Sequence, residues 1–215
     1  MLDYPGKLAC IIWFSGCNLA CRYCYNPEIL RDKGSLSAEE ALAFIHKRRN
    51  RLQGVVLSGG EATLYPDLAE FCREVKSFGF SVKLDTNGTN PSMLKVLLGE
   101  GLIDDIALDF KALQEYFGAV TGRGELFTKF QETLGILLEH HASFEVRTTT
   151  HSDFFTQQLL EDMVAFLDDA GYAGTYYLQR FIGDKGTLKV MTEDTIEPKN
   201  IQLDHPRIQL QWRIR

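Results

Sequence analysis

The chain has no apolar run that approaches a membrane span, no low-complexity tract and no internal linker that would divide domains. It has no surplus of basic residues: 23 Lys and Arg face 29 Asp and Glu, a formal charge of −6. These absences exclude a helical membrane span and remove any electrostatic case for nucleic acid as a partner. The opening residues, Met1-Leu2-Asp3-Tyr4-Pro5-Gly6-Lys7, do not read as a signal peptide, so free thiols in a reducing cytoplasm are expected. Five cysteines, an odd number, do not form a disulfide framework, and a 215-residue chain can bury a sizeable core without staples. No cysteine follows Cys72.

Three of the five cysteines fall within eight residues, Cys17, Cys21 and Cys24, spaced C-x3-C-x2-C. Three thiolates can bind three irons of a four-iron, four-sulfur cube, and this spacing lets one short loop wrap it. No fourth cysteine lies nearby, so one iron would keep an open site, a mark of chemistry rather than of structural support. Zinc is the competing reading. A structural zinc site normally takes four Cys/His ligands, but there is no second cysteine pair, and none of the five histidines is close in sequence. Cys10, in an apolar strand, and Cys72, in an amphipathic helix, read as buried small hydrophobes.

The rest of the chain alternates strand and helix. Apolar runs predict strands at Leu8–Phe14, Gly54–Ser58, Ser81–Leu84, Asp105–Leu108, Ser143–Thr149 and Thr175–Phe181. Between them, helical periodicity predicts helices from the capping box Ser37-Ala38-Glu39-Glu40 to about Arg49, over Pro66–Phe78, after Asn90-Pro91, over Glu125–His140 and over Leu159–Ala170. The segment Leu210–Arg215 alternates and suggests a further edge strand. Six such units predict an α/β fold, an open partial (β/α)6 barrel of parallel strands with outer helices. Residues 1–183 would form the barrel, and 184–215 a C-terminal extension packed on the same domain.

The unusual polar residues fall at the C-terminal ends of these strands, the face that carries the site in parallel α/β architectures. The cysteine loop follows strand one, Gly59-Gly60-Glu61 strand two, Asp85-Thr86-Asn87-Gly88 strand three and Asp109-Phe110-Lys111 strand four. Arg147 lies at the end of strand five and Gln179-Arg180 at the end of strand six. Gly59 and Gly60 let backbone approach a ligand closely, or simply turn the chain. Lys111 suits a carboxylate, although an exposed lysine is the common fate of that residue. Asp85 and Asp109, on neighbouring strand ends, call for a cation or a proton between them, unless both merely cap turns. Arg147 either reaches a ligand carboxylate or ribose or makes a salt bridge inside the barrel. Asn18 shapes the loop. His151, alone in a loop, is expected to be solvated, and His140-His141 suits a helix C-terminus.

Ending in Tyr23-Cys24, the C-x3-C-x-aromatic-C loop resembles that of radical S-adenosylmethionine (SAM) enzymes. The resemblance spans about Asp3 to Phe181, through Asp3-Tyr4-Pro5-Gly6-Lys7, Gly16-Cys17-Asn18, Leu84-Asp85-Thr86-Asn87-Gly88, Ala107-Leu108-Asp109-Phe110-Lys111 and Leu178-Gln179-Arg180-Phe181. Together these look like the activating proteins of anaerobic ribonucleoside-triphosphate reductase, close to pyruvate formate-lyase activase. The resemblance implies a [4Fe-4S] cluster on Cys17, Cys21 and Cys24 that chelates SAM and splits it to a 5′-deoxyadenosyl radical. It implies Tyr23 beside the adenine and Gly59, Gly60 and Glu61 at the SAM amino group. It further implies Lys111 on the SAM carboxylate and a monovalent cation held by Asp85, Thr86 and Asp109. The radical would take hydrogen from a glycine of a glycyl-radical partner, and a flavodoxin- or ferredoxin-type protein would supply the electron. Ala62 departs from the proline common after this motif, Tyr25 from a common histidine, and Trp13-Phe14-Ser15-Gly16 is an unusual lead-in.

Two other readings stand beside this one. A radical SAM enzyme acting on a small molecule, as in deazapurine synthesis, often has an enlarged cysteine loop. A non-enzymatic iron–sulfur or zinc protein would not need these polar motifs on one face.

Overall fold

A computed structural model describes residues 3–30, 34–183, 186–201 and 203–213. Seven strands form one sheet in the order of the chain: β1 Ala9–Phe14, β2 Gly54–Gly59, β3 Ser81–Thr86, β4 Asp105–Asp109, β5 Phe144–Thr150, β6 Thr175–Arg180 and β7 Gln209–Arg213. Every neighbouring pair is parallel. β1 and β7 are the two edges, so the sheet is the open form of the parallel α/β barrel. Six helices lie between strands: α1 Ala38–His46, α2 Leu68–Ser77, α3 Pro91–Gly99, α4 Gln114–Thr121, α5 Phe127–Glu139 and α6 Gln157–Asp169. No helix among the described residues is long and apolar enough to cross a membrane.

The expected elements form for the expected reasons. In the Ser37 capping box, the Glu40 N–H donates to Ser37 Oγ at 3.2 Å, and the Ser37 N–H donates to Glu40 Oε2 at 2.8 Å. Asn90 caps α3 through the Met93 N–H at 3.3 Å, with Pro91 at the first helical position. α1 ends at His46 rather than near Arg49, because Lys47-Arg48-Arg49-Asn50 offers no apolar side chain to bury and closes in turns instead. One helix was not expected. α4 has only eight residues and no side-chain cap at its start, yet it buries Phe117 and Val120 and is stopped by Gly122 at φ 73°. α5 accordingly begins at Phe127, after a single 3-10 turn. The edge strand expected over 210–215 is present as β7; Ile214 and Arg215 lie outside the described residues, as do Met1, Leu2, Asp184 and Lys185.

Two faces of the sheet differ in chemistry. Val82 and Leu84 of β3 join the apolar core with Phe71 and Val75 of α2 and Leu94 and Leu97 of α3. The alternate residues, Lys83 and Asp85, meet charged side chains of other strands. Lys83 Nζ lies 3.5 Å from Glu145 of β5 and donates to the Asp3 carbonyl at 2.8 Å; Arg213 of β7 pairs with both Glu145 oxygens at 3.1 Å. The outer core is therefore hydrophobic, and the inner face is tied by ion pairs across β3, β5 and β7.

His151 overturns the expectation of a solvated loop residue: it is fully buried. Its Nδ1 accepts the Asp153 N–H at 3.0 Å, and its Nε2 lies 3.1 Å from the Thr192 carbonyl. It also packs edge-on against Phe181. The returning segment covers it, and a sequence pattern does not display that packing. Cys72 is buried, whereas Cys10 is only partly so.

Leu84 is fully buried on β3, an interior strand of the sheet. Leu84→Ala should lower stability by about 2–5 kcal/mol, read as an earlier unfolding transition in urea.

Candidate active site

The strand-end loops converge on one cavity. Its wall includes Cys17, Cys21, Tyr23 and Cys24 from the loop after β1, and Gly59 and Gly60 after β2. Asp85, Thr86 and Asn87 of β3 and its loop, Asp109 and Lys111 at β4, and Arg147 of β5 complete it. Of the residues picked from the sequence, Glu61, Asn18, Gln179 and Arg180 are not on this wall.

The cysteine loop is fixed by backbone bonds from three directions. The Gly16 N–H donates to the Ile29 carbonyl at 2.7 Å. The Ala20 and Arg22 N–H groups donate to the Thr121 and Val120 carbonyls at the end of α4, at 2.9 and 3.1 Å. On the far side, the Leu188 and Lys189 N–H groups donate to the Cys24 and Arg22 carbonyls, at 3.2 and 3.1 Å. The unexpected helix thus braces the cluster loop.

The glycine pair has a more local task than ligand approach. A Cβ on Gly60 would stand 2.0 Å from the Gly16 carbonyl oxygen, and one on Gly59 would stand 2.3 Å from the Phe14 carbonyl oxygen. Gly59 also has φ 119°, where L side chains are strained. The space is filled by the cysteine loop's own backbone: Gly60 N–H donates to the Phe14 carbonyl at 2.8 Å, and Glu61 N–H to the Gly16 carbonyl at 2.9 Å.

Glu61 is 2% exposed. Its Oε1 accepts the Thr63 N–H at 3.2 Å, the Thr63 hydroxyl at 2.6 Å and the Thr86 hydroxyl at 2.8 Å; its Oε2 accepts the Asn87 N–H at 2.7 Å. Burial pushes its carboxyl up, and the donors from Thr63, Asn87 and Thr86 oppose that. Three donors crowd Oε1 and one meets Oε2, so donors from two loops hold the carboxylate in place. Glu61 therefore joins the β2 and β3 loops rather than facing the cavity.

Asp85 and Asp109 do have a cation between them, the Arg147 guanidinium. Its Nη1 lies 3.5 Å from Asp85 Oδ1, and its Nη2 and Nε lie 3.0 Å from Asp109 Oδ1. Ser58 donates to Asp85 Oδ2 at 3.0 Å. Arg147 thus places a positive charge between the two aspartates, and the Thr86 hydroxyl is turned to Glu61. Lys111 Nζ donates to Asp109 Oδ2 at 3.1 Å. Burial opposes the charge on Lys111, but the Asp109 carboxylate more than offsets it, so the ammonium is held above the ordinary lysine value. Burial likewise raises the Asp109 carboxyl, and Arg147 and Lys111 outweigh it and hold Asp109 below the usual carboxylate range.

Sequence reasoning gave Asn18 to the shape of the loop and Asn87 to a strand-end motif, but it left out Thr89 and the contacts that join the three. Asn87 Oδ1 accepts the Thr89 N–H at 3.0 Å and the Thr89 hydroxyl at 2.6 Å. Its Nδ2 donates to Asn18 Oδ1 at 3.1 Å and reaches Cys17 Sγ at 3.8 Å. Asn18 Nδ2 returns to Thr89 Oγ1 at 2.8 Å. The signal available was the Thr86-Asn87-Gly88-Thr89 run at a strand end, where short polar side chains build loops.

The donor set fits a cluster. All three thiols are free and open on the same cavity, whose wall has no histidine or fourth cysteine. Among the described residues, no three Cys, His, Asp or Glu side chains converge as a single metal ion requires. A cube that spreads three thiolates over three irons does not need that convergence. Burial pushes the Cys17 thiol up to about 12 and raises Cys21, so both stay neutral thiols until a bound metal displaces their protons. The buried Tyr23 hydroxyl has no hydrogen-bond partner, an orphan at the cavity wall that a bound ligand can satisfy.

Comparison with known proteins points the same way. The radical SAM superfamily matches residues 11–170. The chain is 31% identical over 189 residues to a protein of Methanocaldococcus jannaschii named as a glycyl-radical enzyme activating enzyme, across 84% of this chain and 75% of that one. It is 30% identical over 148 residues to the pyruvate formate-lyase-activating enzyme of Clostridium pasteurianum, across 63% of this chain and 61% of that one. The solved structure of Streptococcus suis SuiB bound to S-adenosylmethionine superposes with a TM-score of 0.71 at 15% identity, over 90% of this chain and 44% of that one, a likeness of fold.

Gly60→Ala should force the Gly16 carbonyl away and break the seat of the cysteine loop. After anaerobic reconstitution, iron per chain should fall well below that of the wild type, and the melting temperature should drop. Gly99, in α3, has open space where a Cβ would sit, so Gly99→Ala should leave iron content unchanged and hold or raise stability by about 0.5–1 kcal/mol.

Proposed function

The chain belongs to the radical SAM superfamily, with a [4Fe-4S] cluster and SAM as its cofactors, and we propose that it activates a glycyl-radical enzyme, the partner being anaerobic ribonucleoside-triphosphate reductase. The observation that carries the reading is that three cysteine thiols and the Lys111 ammonium open on one cavity at the strand ends. The similarity to proteins named as activating enzymes supports the glycyl-radical partner, and the motif resemblance set out above supports the reductase.

In this reading Cys17, Cys21 and Cys24 hold three irons and leave the fourth for SAM. When bound, the cluster would pass on the one electron, taken from the reductant, that SAM cleavage needs, and that chemistry would let hydrogen be taken from a glycine of the partner. The chain's other residues bind and orient. Lys111, steadied by Asp109, takes the SAM carboxylate; Arg147 holds Asp109 and Asp85 in place. Tyr23 lies along the adenine with its hydroxyl free for a ligand acceptor. Gly59 and Gly60 leave the cavity wall without side chains beside the SAM amino group, and Glu61 shapes that turn from behind. The described residues within 186–213 pack as an extension of the same domain. A flavodoxin- or ferredoxin-type protein in the cytoplasm delivers the electron.

The test is chemical. The reconstituted protein, with SAM and a strong reductant under anaerobic conditions, should yield 5′-deoxyadenosine, and Cys21→Ala should yield none. With the reductase present, a glycyl-radical doublet should appear in the electron paramagnetic resonance spectrum of the reductase. SAM cleavage without that doublet on any glycyl-radical enzyme would favour a small-molecule substrate. A wild-type protein that keeps its cluster and binds SAM, yet cleaves none with the partner present, would overturn the proposal. Lys111→Met removes a charged hydrogen bond, so the KM for SAM should rise roughly tenfold to a hundredfold while the cluster still assembles.

A further inference from the structure

We infer that Asn87 sets the reduction potential of the cluster by donating a hydrogen bond to the Cys17 thiolate. The inference rests on the cluster reading above and concerns a residue outside the cysteine motif. The orientation of the Asn87 amide is fixed by chemistry. Its Oδ1 faces the Thr89 N–H, which can only donate, so that atom must be the carbonyl oxygen. The NH2 end therefore points the other way, toward Asn18 Oδ1 at 3.1 Å and Cys17 Sγ at 3.8 Å. An NH2 group has two hydrogens, one for each acceptor.

The amide is also held still. Asn18, Asn87 and Thr89 form a closed ring: Asn87 donates to Asn18, Asn18 donates to Thr89 Oγ1, and the Thr89 hydroxyl donates to Asn87 Oδ1. Asn87 is 4% exposed, so water does not compete freely for its hydrogens. Its backbone N–H is pinned at 2.7 Å to Glu61 Oε2. The Leu19 N–H also lies 3.4 Å from Cys17 Sγ. Among the described residues, Cys17 is the cluster thiol that receives a side-chain donor. The three thiolates are thus unequal.

One-electron reduction adds a negative charge, part of which resides on the thiolate sulfurs. A donor fixed on one sulfur stabilises the reduced form more than the oxidised form and so raises the potential. Asn87 acts through Cys17, as a positioning and tuning residue rather than a catalytic one.

The experiment is a redox titration of the reconstituted, SAM-free protein, with the reduced-cluster signal read by electron paramagnetic resonance. In Asn87→Leu, of similar size without a donor, the equilibrium constant for reduction should fall roughly tenfold, a shift of about 59 mV to lower potential. Asn18→Ala breaks the ring but keeps the donor on Cys17, and its midpoint should stay near that of the wild type. If Asn87→Leu fails to take up four irons, Asn87→Ala removes the same donor without adding charge and should shift in the same direction. An unchanged midpoint in the Asn87 variant that assembles, or an equal shift in Asn18→Ala, would overturn the inference. If the wild type itself assembles no four-iron cluster, the cluster reading falls first.

Discussion

Glu61 is the interaction on which the site's shape depends. A buried carboxylate is costly unless its lone pairs are met, and here they are met by donors from two loops. Thr63 belongs to the turn after β2, Thr86 and Asn87 to the end of β3. Remove the carboxylate, and the Asn87 N–H and the Thr86 hydroxyl lose the acceptor that registers one strand end against the next. The glycines before it complete the same joint from the other side, because only residues without a Cβ let the Gly16 carbonyl come within reach of the Glu61 N–H. The cysteine loop, the glycine turn and the β3 loop are therefore one connected structure rather than three motifs that happen to meet.

The second constraint is the charged inner face of the sheet. Along β3, β4, β5 and β7, carboxylates and cations alternate: Lys83 and Arg213 on Glu145, Arg147 on Asp85 and Asp109, and Lys111 on Asp109. Each buried charge has a partner, which is the condition for keeping it ionised away from water. The arrangement also directs the last cation. Both cations stand on the cavity wall; Arg147 is engaged by two aspartates, whereas Lys111 has, among the described residues, only Asp109 as an ion-pair partner. A ligand carboxylate would meet a lysine that is already charged and already aimed, so little reorganisation is needed at binding.

How much of this was legible in the sequence follows from the range of each interaction. Strands and most helices were readable because apolar spacing and caps are local: the Ser37 box and Asn90-Pro91 needed only neighbouring residues. The parallel order was readable because alternation of strand and helix leaves few other topologies. α4 was not, since eight residues with an uncapped start carry little periodic signal, and Phe117 and Val120 are held by tertiary packing. Residue roles were readable where chemistry is carried by type, as with the three cysteines. They were not where the partner is distant in sequence. Glu61 reads as a ligand group until Thr86 and Asn87 fill its lone pairs. Asp85 and Asp109 call for positive charge between them, but that Arg147 of β5 brings it is not visible in their own stretch of chain.

The last distant contact gives the C-terminal segment a role. Leu188 and Lys189 donate to the carbonyls of Cys24 and Arg22, so the third cysteine is braced by chain that returns after β6. That segment is anchored in turn. The Thr192 carbonyl meets His151, the Thr192 hydroxyl donates to Asp153, the Ser152 N–H donates to Asp194 at 2.9 Å, and Phe181 stacks on Tyr25 at 5.4 Å. His151, although it touches none of the cavity's polar groups, sits under the clamp that holds the strap. Loops between strand and helix usually gain order from their own ends; this one has its three cysteines spread over the eight residues from Cys17 to Cys24 and would bind three irons. Bracing it from α4 on one side and from the strap on the other supplies what its sequence cannot, a backbone already arranged before metal arrives. The departure at Tyr25 fits that arrangement: its ring stacks on Phe181 and its hydroxyl accepts the Ile182 N–H at 2.8 Å, so the residue that replaces a common histidine ties the cysteine loop to the start of the strap.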